Sequence, residues 1–223
     1  MEKIISVKDI SKSYQLADSR VEVLKNVNLE IEKGEFISIM GPSGSGKSTL
    51  LYLIGGLDKA TKGNISVCGT EINKLSDDKE SYFRRNKIGF VFQAYNLIDN
   101  LTLEENILLP ALLEGKKKND VIRKARELMS AVGILERRNH TPKELSGGEQ
   151  QRTAIARALI NEPDILFADE PIGNLDSRTG TEILKLLKEI NNRGITIIMV
   201  THSEESTKYG SRIIRLRDGE IVS

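Results

Sequence analysis

Residues 41–49 constrain the fold of this chain more than any other segment. Their sequence, GPSGSGKST, fits the pattern G-x-x-x-x-G-K-[ST], in which a glycine-rich loop surrounds phosphate oxygens with backbone amides. The apolar run at 36–40 predicts a buried strand before the loop, and Leu50, Leu51 and Ile54 predict a helix with one apolar face after it. This order of strand, loop and helix predicts a nucleoside triphosphate-binding loop in an α/β fold.

Each residue type in this loop suits a phosphate ligand. Glycine lets the backbone turn so that successive N–H groups face phosphate oxygens, and the following helix adds the positive end of its dipole. Lys47 is predicted to lie on the β- and γ-phosphates, and the Ser48 hydroxyl is predicted to bind Mg²⁺. The simpler alternative is a turn that only caps the helix. The predicted nucleotide-binding residues of the loop are Gly41, Pro42, Ser43, Gly44, Ser45, Gly46, Lys47, Ser48 and Thr49.

Composition excludes several classes of protein. The 223 residues include 33 Lys and Arg against 32 Asp and Glu, and the net charge of +1 argues against a nucleic-acid partner. The single cysteine, Cys68, cannot form an internal disulfide, which favours a reducing compartment. The longest apolar run, 195–200, is far shorter than the ~20 residues of a membrane-spanning helix. We therefore expect a cytoplasmic chain whose role at a membrane depends on a partner.

The apolar patterns on either side of this phosphate-binding loop (the P-loop, residues 41–49) predict two kinds of sheet, one antiparallel and one parallel. Residues 3–14 and 21–31 predict antiparallel strands, the second range as a pair, separated by a polar loop at 15–20. A further hairpin at 63–72 would complete an N-terminal antiparallel β-subdomain. Near-continuous apolar runs elsewhere, such as 164–168, are typical of a central parallel sheet.

A helical insertion interrupts this pattern after residue 93. Thr102 and Glu105 have capping-box spacing at the start of a helix that Pro110 interrupts or bends, and an amphipathic helix follows at 120–132. The predicted organisation is one domain, 1–223, with an α/β core and β-subdomain at 1–93 and 160–223, and a helical subdomain at 94–159.

A second anion-binding surface is predicted at 145–152, LSGGEQQR. Ser146 and Glu149 have capping-box spacing at the start of an alanine-rich helix. That local explanation does not account for Gly147 and Gly148, because a glycine costs a helix about 1 kcal/mol relative to alanine. Two glycines with bare backbone at a helix start suit an anion, and they lie outside the P-loop. The sequence therefore suggests a nucleotide held between two copies of the chain.

Two adjacent acids follow the apolar strand at 164–168. Ligands of open α/β sheets bind beyond the carboxyl ends of the strands, which places Asp169 and Glu170 beside the ligand. Asp169 is predicted to hold Mg²⁺ directly or through water, and Glu170 to orient or deprotonate the attacking water. His202 follows another buried strand. A histidine there is structural or, beside a γ-phosphate, a donor placed where charge develops.

Taken in order, these motifs resemble the nucleotide-binding subunit of ABC (ATP-binding cassette) transporters over essentially the whole chain. LSGGEQQR at 145–152 is the decisive match, because it is similar to the family's signature motif and lies just before the strand that ends in 169–170. Gln93 matches the Q-loop glutamine, 174–176 the D-loop and His202 the switch histidine. The resemblance implies the RecA-like P-loop NTPase fold, with a parallel-sheet core, an antiparallel β-subdomain and a helical insertion.

Tyr14 has two interpretations. From the residues alone, a half-buried strand tyrosine is favoured over a ring that stacks on the adenine base. The resemblance reverses this preference, because Tyr14 matches the aromatic residue that stacks on adenine in the family.

The resemblance also implies a mechanism: two copies dimerise head to tail around two ATP molecules, and hydrolysis reopens the dimer. The residues contributed in trans would be Ser146, Gly147, Gly148 and Asp176. The catalytic residues would be Glu170, His202, Lys47 and Gln93. The Mg²⁺ ligands would be Ser48, Gln93 and Asp169. An integral membrane permease would dock on the helical subdomain near 94–113.

Segments 38–58 and 88–98 are similar to one group of this family, which serves macrolide export, lipoprotein release and antimicrobial-peptide resistance. That likeness implies export or release of a peptide, antibiotic or lipoprotein by a chain on the inner face of the membrane. Ile172 stands where the group usually has Thr, and Ser203 where Asp commonly follows the histidine, so a modest effect on turnover is expected. Two alternatives stay open: an ATPase that regulates a partner, as in cell division, and a soluble ABC protein.

Overall fold

The structure is a computed structural model that describes residues 2–16 and 19–222. Its strands are β1 (Lys3–Leu16), β2 (Ser19–Glu32), β3 (Phe36–Met40), β4 (Lys62–Val67), β5 (Thr70–Glu71), β6 (Ile88–Phe92), β7 (Ile165–Asp169), β8 (Thr196–Val200), β9 (Arg212–Arg217) and β10 (Glu220–Ile221). Its α-helices are α1 (Lys47–Ile54), α2 (Asp77–Lys87), α3 (Leu103–Leu113), α4 (Lys118–Ala131), α5 (Gly147–Leu159), α6 (Ser177–Asn192) and α7 (Glu204–Thr207). Short 3-10 helices lie at Ile72–Lys74, Leu135–Arg137 and Pro142–Glu144.

The strands form two sheets, as predicted. A four-stranded antiparallel sheet has the order β2-β1-β4-β5, and a six-stranded sheet has the order β10-β9-β3-β8-β7-β6. In the second sheet β3, β6, β7, β8 and β9 run parallel, and only the edge strand β10 is antiparallel. The predicted α/β class, with a parallel core and an antiparallel β-subdomain, is confirmed.

Alternation along the central strands divides the core into two layers. In β7, Ile165 and Phe167 pack with α1 and the antiparallel sheet, whereas Leu166 and Ala168 face the other way, toward α3, α5 and α6. All five residues of β7 are buried, because helices or the second sheet cover both faces of the parallel sheet. This two-sided burial explains why the strand sequence is apolar without interruption.

The hairpin of β1 and β2 differs from the prediction. The polar loop predicted at 15–20 is wrong at its ends, because β-pairing continues as far as Leu16 and Ser19; residues 17–18 lie outside the described part of the chain. The range 21–31, predicted as two strands, lies within the single strand β2. Register shifts between the two strands let the long hairpin bend while its apolar side chains stay inside.

The helical insertion contains α3, α4 and α5. Thr102 and Glu105 exchange the two hydrogen bonds of a capping box at the start of α3, and Pro110 lies inside that helix. The apolar sides of the three helices pack on the layer that also contains α6. Helix α2 was not predicted, because it is almost entirely polar and buries only Glu80, so it has no apolar stripe. The subdomain boundaries at 94–159 stay a prediction, although α5 does end at Leu159.

Candidate nucleotide-binding and catalytic site

The P-loop connects β3 to α1 at the carboxyl edge of the parallel sheet. Gly46 is the N-cap of α1, has a φ of 98° and supplies no side-chain cap, so the first amides of the helix face outward. A Cβ on Gly46 would lie 2.8 Å from Leu24 Cδ2, and a Cβ on Gly41 would lie 2.0 Å from the carbonyl oxygen of Leu216. Glycine is therefore required at both ends of the loop, where the backbone passes close to neighbouring elements.

Lys47 lies across this loop. Its Nζ donates to the carbonyl oxygens of Gly41 and Pro42, at 2.9 Å each, and only 8% of the residue is exposed. The buried Ser45 Oγ has no hydrogen-bond partner among the described residues. An ammonium group, a buried hydroxyl and outward-facing helix amides thus converge on one loop, and this set of donors fits a triphosphate.

Ser48 and Asp169 meet at the first turn of α1. The Ser48 hydroxyl donates to Asp169 Oδ1 at 2.9 Å, and the Tyr52 hydroxyl donates to Asp169 Oδ2 at 2.6 Å. Burial, together with the Asp169 carboxylate, raises the pKa of Tyr52, which keeps its hydroxyl protonated. Oxygen atoms are the ligands that Mg²⁺ prefers, usually a few from protein with the rest from phosphate and water. The Ser48 and Asp169 oxygens fit that requirement.

Glu170 and His202 form a pair at the ends of the adjacent strands β7 and β8. Their Nδ1 and carboxylate atoms are 3.0 Å apart. Glu170 has a φ of 47°, in the left-handed region, and its backbone amide donates to the carbonyl oxygen of Val200 at 3.0 Å. Such a conformation costs a non-glycine residue about 1–3 kcal/mol, so the surrounding structure must hold it in place. Most of the Glu170 side chain is buried, whereas the imidazole is 71% exposed.

Gln93 lies at the end of the neighbouring strand, β6, but it is hydrogen-bonded to a different group. Its Nε2 donates to Asn174 Oδ1 at 3.2 Å, and Asn174 Nδ2 donates back to the carbonyl oxygen of Gln93 at 3.0 Å. These bonds join the predicted Q-loop to the predicted D-loop. Of the three predicted metal ligands, the structure therefore brings Ser48 and Asp169 into direct contact, and the role of Gln93 stays a prediction.

Tyr14 is held in place by a partly buried ion pair. Its hydroxyl donates to Asp58 Oδ2 at 2.6 Å, and Lys12 Nζ donates to Asp58 Oδ1 at 2.6 Å. Lys12 Nζ also lies 4.6 Å from the centre of the Tyr14 ring, a cation–π distance. Burial, followed by the bond to Asp58, raises the pKa of Tyr14, so its hydroxyl stays a donor. Tyr14 is 38% exposed, which leaves surface for stacking on a base.

We expect Tyr14→Ala to lower the affinity for ATP by about fivefold to a hundredfold, because stacking on an aromatic ring contributes about 1–3 kcal/mol per base. Tyr14→Phe should lose less, since it keeps the ring and gives up only the bond to Asp58. Isothermal titration with ATP and with tripolyphosphate checks both points. Tripolyphosphate has no base, so its affinity should be equal in all three proteins. Unchanged ATP affinity in Tyr14→Ala would contradict the stacking role.

The 145–152 segment starts α5 as predicted. The Ser146 Oγ accepts from the Glu149 amide at 3.3 Å, and Glu149 Oε2 accepts from the Ser146 amide at 2.9 Å. The two glycines differ from the prediction of bare backbone. Gly147 is partly exposed, but Gly148 is buried, and a Cβ on it would lie 2.5 Å from Cγ2 of Thr179 on α6. Close packing between α5 and α6 therefore requires glycine at 148.

Asp176 caps α6 beside this segment. Its carboxylate accepts from the Thr179 amide at 3.0 Å, and hydrogen bonds from Thr179 lower the pKa of Asp176. The N-termini of α5 and α6 are thus neighbours, and both Ser146 and Asp176 expose surface to solvent. Among the residues that the structure describes, neither the cap at 146 nor that at 176 is hydrogen-bonded to the P-loop of the same chain. The predicted trans residues lie at these two helix N-termini, and their role toward a second copy stays a prediction.

Comparison with known proteins identifies the family. Residues 24–173 match the profile of the ABC transporter family. The chain belongs to the ABC transporter family. An ABC transporter ATP-binding protein of Methanocaldococcus jannaschii is 51% identical over 219 residues, which cover 98% of each chain. The prediction from the signature motif is confirmed.

Other ABC relatives have more specific names. A lipoprotein-releasing system ATP-binding protein, LolD, of Geobacter metallireducens is 45% identical over the full length of both chains. A macrolide export ATP-binding/permease protein, MacB, of Bdellovibrio bacteriovorus is 49% identical over 99% of this chain, which spans only 34% of that protein. These identities confirm the predicted similarity to the macrolide-export and lipoprotein-release group.

A solved ABC structure supports the enzymatic assignment. The dimeric ATP-binding cassette MJ0796, in a post-hydrolysis state bound to ADP and Pi, superposes with a TM-score of 0.91 at 46% identity. The alignment covers 98% of this chain and 97% of that chain. This chain is an ATP-binding and ATP-hydrolysing subunit of the ABC type.

The two departures from the ABC group pattern have structural explanations. Ser203 is the N-cap of α7 and accepts from the Ser206 amide at 3.3 Å, a role in which Ser and Asp are equivalent. Ile172 packs over Gly180 of α6, where a Cβ would lie 3.4 Å from the Ile172 Cβ. Neither side chain is hydrogen-bonded to Glu170 or His202 within the described residues. The expected modest effect on turnover stays a prediction.

The sequence analysis missed Arg157, which connects α5 to the segment after Gln93. Its guanidinium donates to the carbonyl oxygens of Asn96 and Tyr95 at 2.5 and 2.9 Å, and burial lowers the pKa of Arg157. Both carbonyls belong to residues with positive φ, and the arginine supplies hydrogen-bond donors to carbonyl groups in this irregular segment. Only the alanine-rich helix pattern surrounds it in the sequence, and that pattern does not indicate its partners.

A groove of about 330 Å³ lies beside this guanidinium, between β6 and the helical insertion. Its lining residues include Phe90, Phe92, Asn96, Pro110 and Arg157. Three large apolar side chains in the predicted docking range are exposed: Ile98, Leu112 and Leu113.

In the described part of the chain, each helix is too short or too polar to cross a membrane.

Proposed function

We propose that this chain is the motor of an export or release system, in which two copies close head to tail on two ATP molecules. The observation that carries the proposal is the separation of two surfaces on one chain. The P-loop and the Glu170–His202 pair form one of them, and the exposed caps Ser146 and Asp176 form the other. Because these two surfaces are separate on one chain, the P-loop of one copy would meet Ser146, Gly147, Gly148 and Asp176 of the second copy.

The residues of the P-loop surface suit hydrolysis by an in-line water. Lys47 would neutralise the β- and γ-phosphates, and Glu170 would accept the proton of the attacking water as its oxygen bonds to the γ-phosphorus. The bond from that phosphorus to the β,γ-bridging oxygen then breaks, which leaves ADP and phosphate. His202, held 3.0 Å from the Glu170 carboxylate, would donate to the γ-phosphate oxygens as charge builds up on them.

Ser48 and Asp169 would hold Mg²⁺, with Gln93 as a third group from the Q-loop. Bound Mg²⁺ would offset the negative charge of the β- and γ-phosphates. The fit rests on the contact between the Ser48 hydroxyl and Asp169 Oδ1. Gln93 would have to exchange its bond to Asn174 for this role, which would couple the Q-loop to the nucleotide.

We propose the groove beside Arg157 as the docking site of an integral membrane permease, near residues 94–113. Phe90 and Phe92 line the groove with stacked aromatic rings, which suit the apolar face of a short permease helix. Through Arg157, a load on this groove would reach α5 and the cap at Ser146. Such docking would place the chain on the inner face of the membrane.

The cargo is proposed from the named relatives. A macrolide export protein and a lipoprotein-releasing protein are 49% and 45% identical to this chain. We therefore infer export or release of an amphiphilic cargo, such as a peptide, an antibiotic or a lipoprotein. The alternative is an ATPase that regulates a partner without transport.

A pull-down of tagged Glu170→Gln from detergent-solubilised membranes, with and without ATP, tests the motor proposal. Recovery of one polytopic permease supports it. Recovery of soluble partners alone overturns it and favours the regulatory alternative.

We expect Leu113→Glu to reduce recovery of the permease at least fivefold, because the change places a charge among the exposed apolar side chains of the docking range. Quantitative immunoblotting of the same pull-down measures the effect. The control is Val21→Glu, which places the same charge at another exposed apolar residue, on the antiparallel sheet. Equal recovery of the permease by the two variants would contradict docking near residues 94–113.

A further inference from the structure

Both oxygens of the Asp169 carboxylate are engaged by one helix. Ser48 donates to Oδ1 at 2.9 Å, and Tyr52 donates to Oδ2 at 2.6 Å. The two donors are one turn apart on α1, so their side chains lie on the same face. Asp169 is 8% exposed, and no other described side chain is hydrogen-bonded to its carboxylate.

We propose that Tyr52 is a positioning residue for the metal site, because its hydroxyl holds the Asp169 carboxylate so that Oδ1 faces Ser48. This inference rests on the proposed role of Ser48 and Asp169 in holding Mg²⁺. A carboxylate bound through one oxygen alone can rotate about its Cβ–Cγ bond. The second hydrogen bond, on Oδ2, removes that freedom and keeps Oδ1 directed at the metal side.

The hydroxyl and the ring of Tyr52 have separable roles. The ring is half-buried and lies 6.5 Å from the ring of Phe92, centre to centre, at 57°. Phenylalanine at position 52 would keep these contacts and remove only the bond to Asp169. The buried Oδ2 would then have no donor among the described residues, so the carboxylate would reorient to regain one.

Side chains that orient a metal ligand are worth about 10–100-fold in metal affinity in other proteins. For Tyr52→Phe we therefore expect about tenfold weaker binding of divalent metal in the presence of nucleotide. Binding of nucleotide without metal should stay within about twofold, because the Tyr52 hydroxyl is hydrogen-bonded to Asp169 and has no described hydrogen bond to the P-loop backbone. A residue that only stabilised the fold would produce neither this separation nor a metal-specific loss.

The experiment measures metal binding directly. Mn²⁺ replaces Mg²⁺, and electron paramagnetic resonance reports free Mn²⁺ as it is titrated into protein saturated with the β,γ-imido analogue of ATP, which is not hydrolysed. Wild type, Tyr52→Phe and Tyr82→Phe are compared, and their thermal midpoints are recorded. Tyr82 is 58% exposed on α2, so its variant controls for the loss of a tyrosine hydroxyl.

Two further variants separate this inference from the proposed metal role of Asp169. Asp169→Asn should itself weaken Mn²⁺ binding, and adding Tyr52→Phe to it should cause no further loss, because Tyr52 acts through that carboxylate. If Asp169→Asn weakens Mn²⁺ binding and Tyr52→Phe does not, the positioning role alone is overturned. If Asp169→Asn leaves Mn²⁺ binding unchanged, the metal role of Asp169 and the inference drawn from it both fail.

Discussion

Glu170→Gln is expected to lower ATP turnover by a hundredfold or more, since general-base catalysis contributes about 10²–10⁴ in rate. Glutamine keeps the shape of the side chain and its place 3.0 Å from His202, but it cannot accept a proton from water. ATP binding should be retained, and the ATP-bound dimer should accumulate because hydrolysis no longer reopens it. Phosphate release and light scattering with ATP measure the two effects.

Glu205→Gln is the matched control for that variant. Glu205 is an exposed residue of α7, the helix that follows His202 in the sequence. Its change to glutamine removes the same negative charge as Glu170→Gln does. Its turnover should equal that of wild type. If the Glu170→Gln protein hydrolyses ATP at a near wild-type rate, the assignment of Glu170 as the general base is wrong.

Ser146→Arg is expected to abolish the ATP-dependent dimer while the monomer binds ATP within about twofold of wild type. Ser146 is exposed and is not hydrogen-bonded to the P-loop of its own chain, so the substitution leaves that site intact. In the dimer, the long cationic side chain would occupy the space where the nucleotide of the second copy must lie. Size-exclusion chromatography with light scattering, in the Glu170→Gln background, measures dimer formation.

Ser146→Arg also removes the helix cap, and Ser146→Ala is the control for that loss of helix stability. Both changes remove the hydroxyl that accepts from the Glu149 amide, a loss of about 1 kcal/mol of helix stability. Only arginine adds bulk and charge, so alanine should still dimerise. Loss of ATP binding by the Ser146→Arg monomer would mean that the signature segment serves the P-loop of its own chain.

Capping and turn chemistry made much of this fold predictable. Thr102 with Glu105 and Ser146 with Glu149 form their hydrogen bonds over three residues, so spacing alone was sufficient to predict them. The order of strand, glycine-rich loop and helix around Lys47 is equally local. The polar loop predicted at 15–20 failed because polar side chains are compatible with the exposed strands of a long hairpin.

The sequence by itself determined the fold class, the phosphate loop and the acids beyond β7, because each depends on local geometry or on the burial of a whole strand. Only the tertiary structure decided which groups meet. Tyr52 reaches Asp169 across 117 residues and Gln93 reaches Asn174 across 81, because parallel strands bring their carboxyl ends to one edge. Gly148 shows the same limit: helix propensity treats this glycine as a cost, whereas close packing against Thr179 of a later helix requires it.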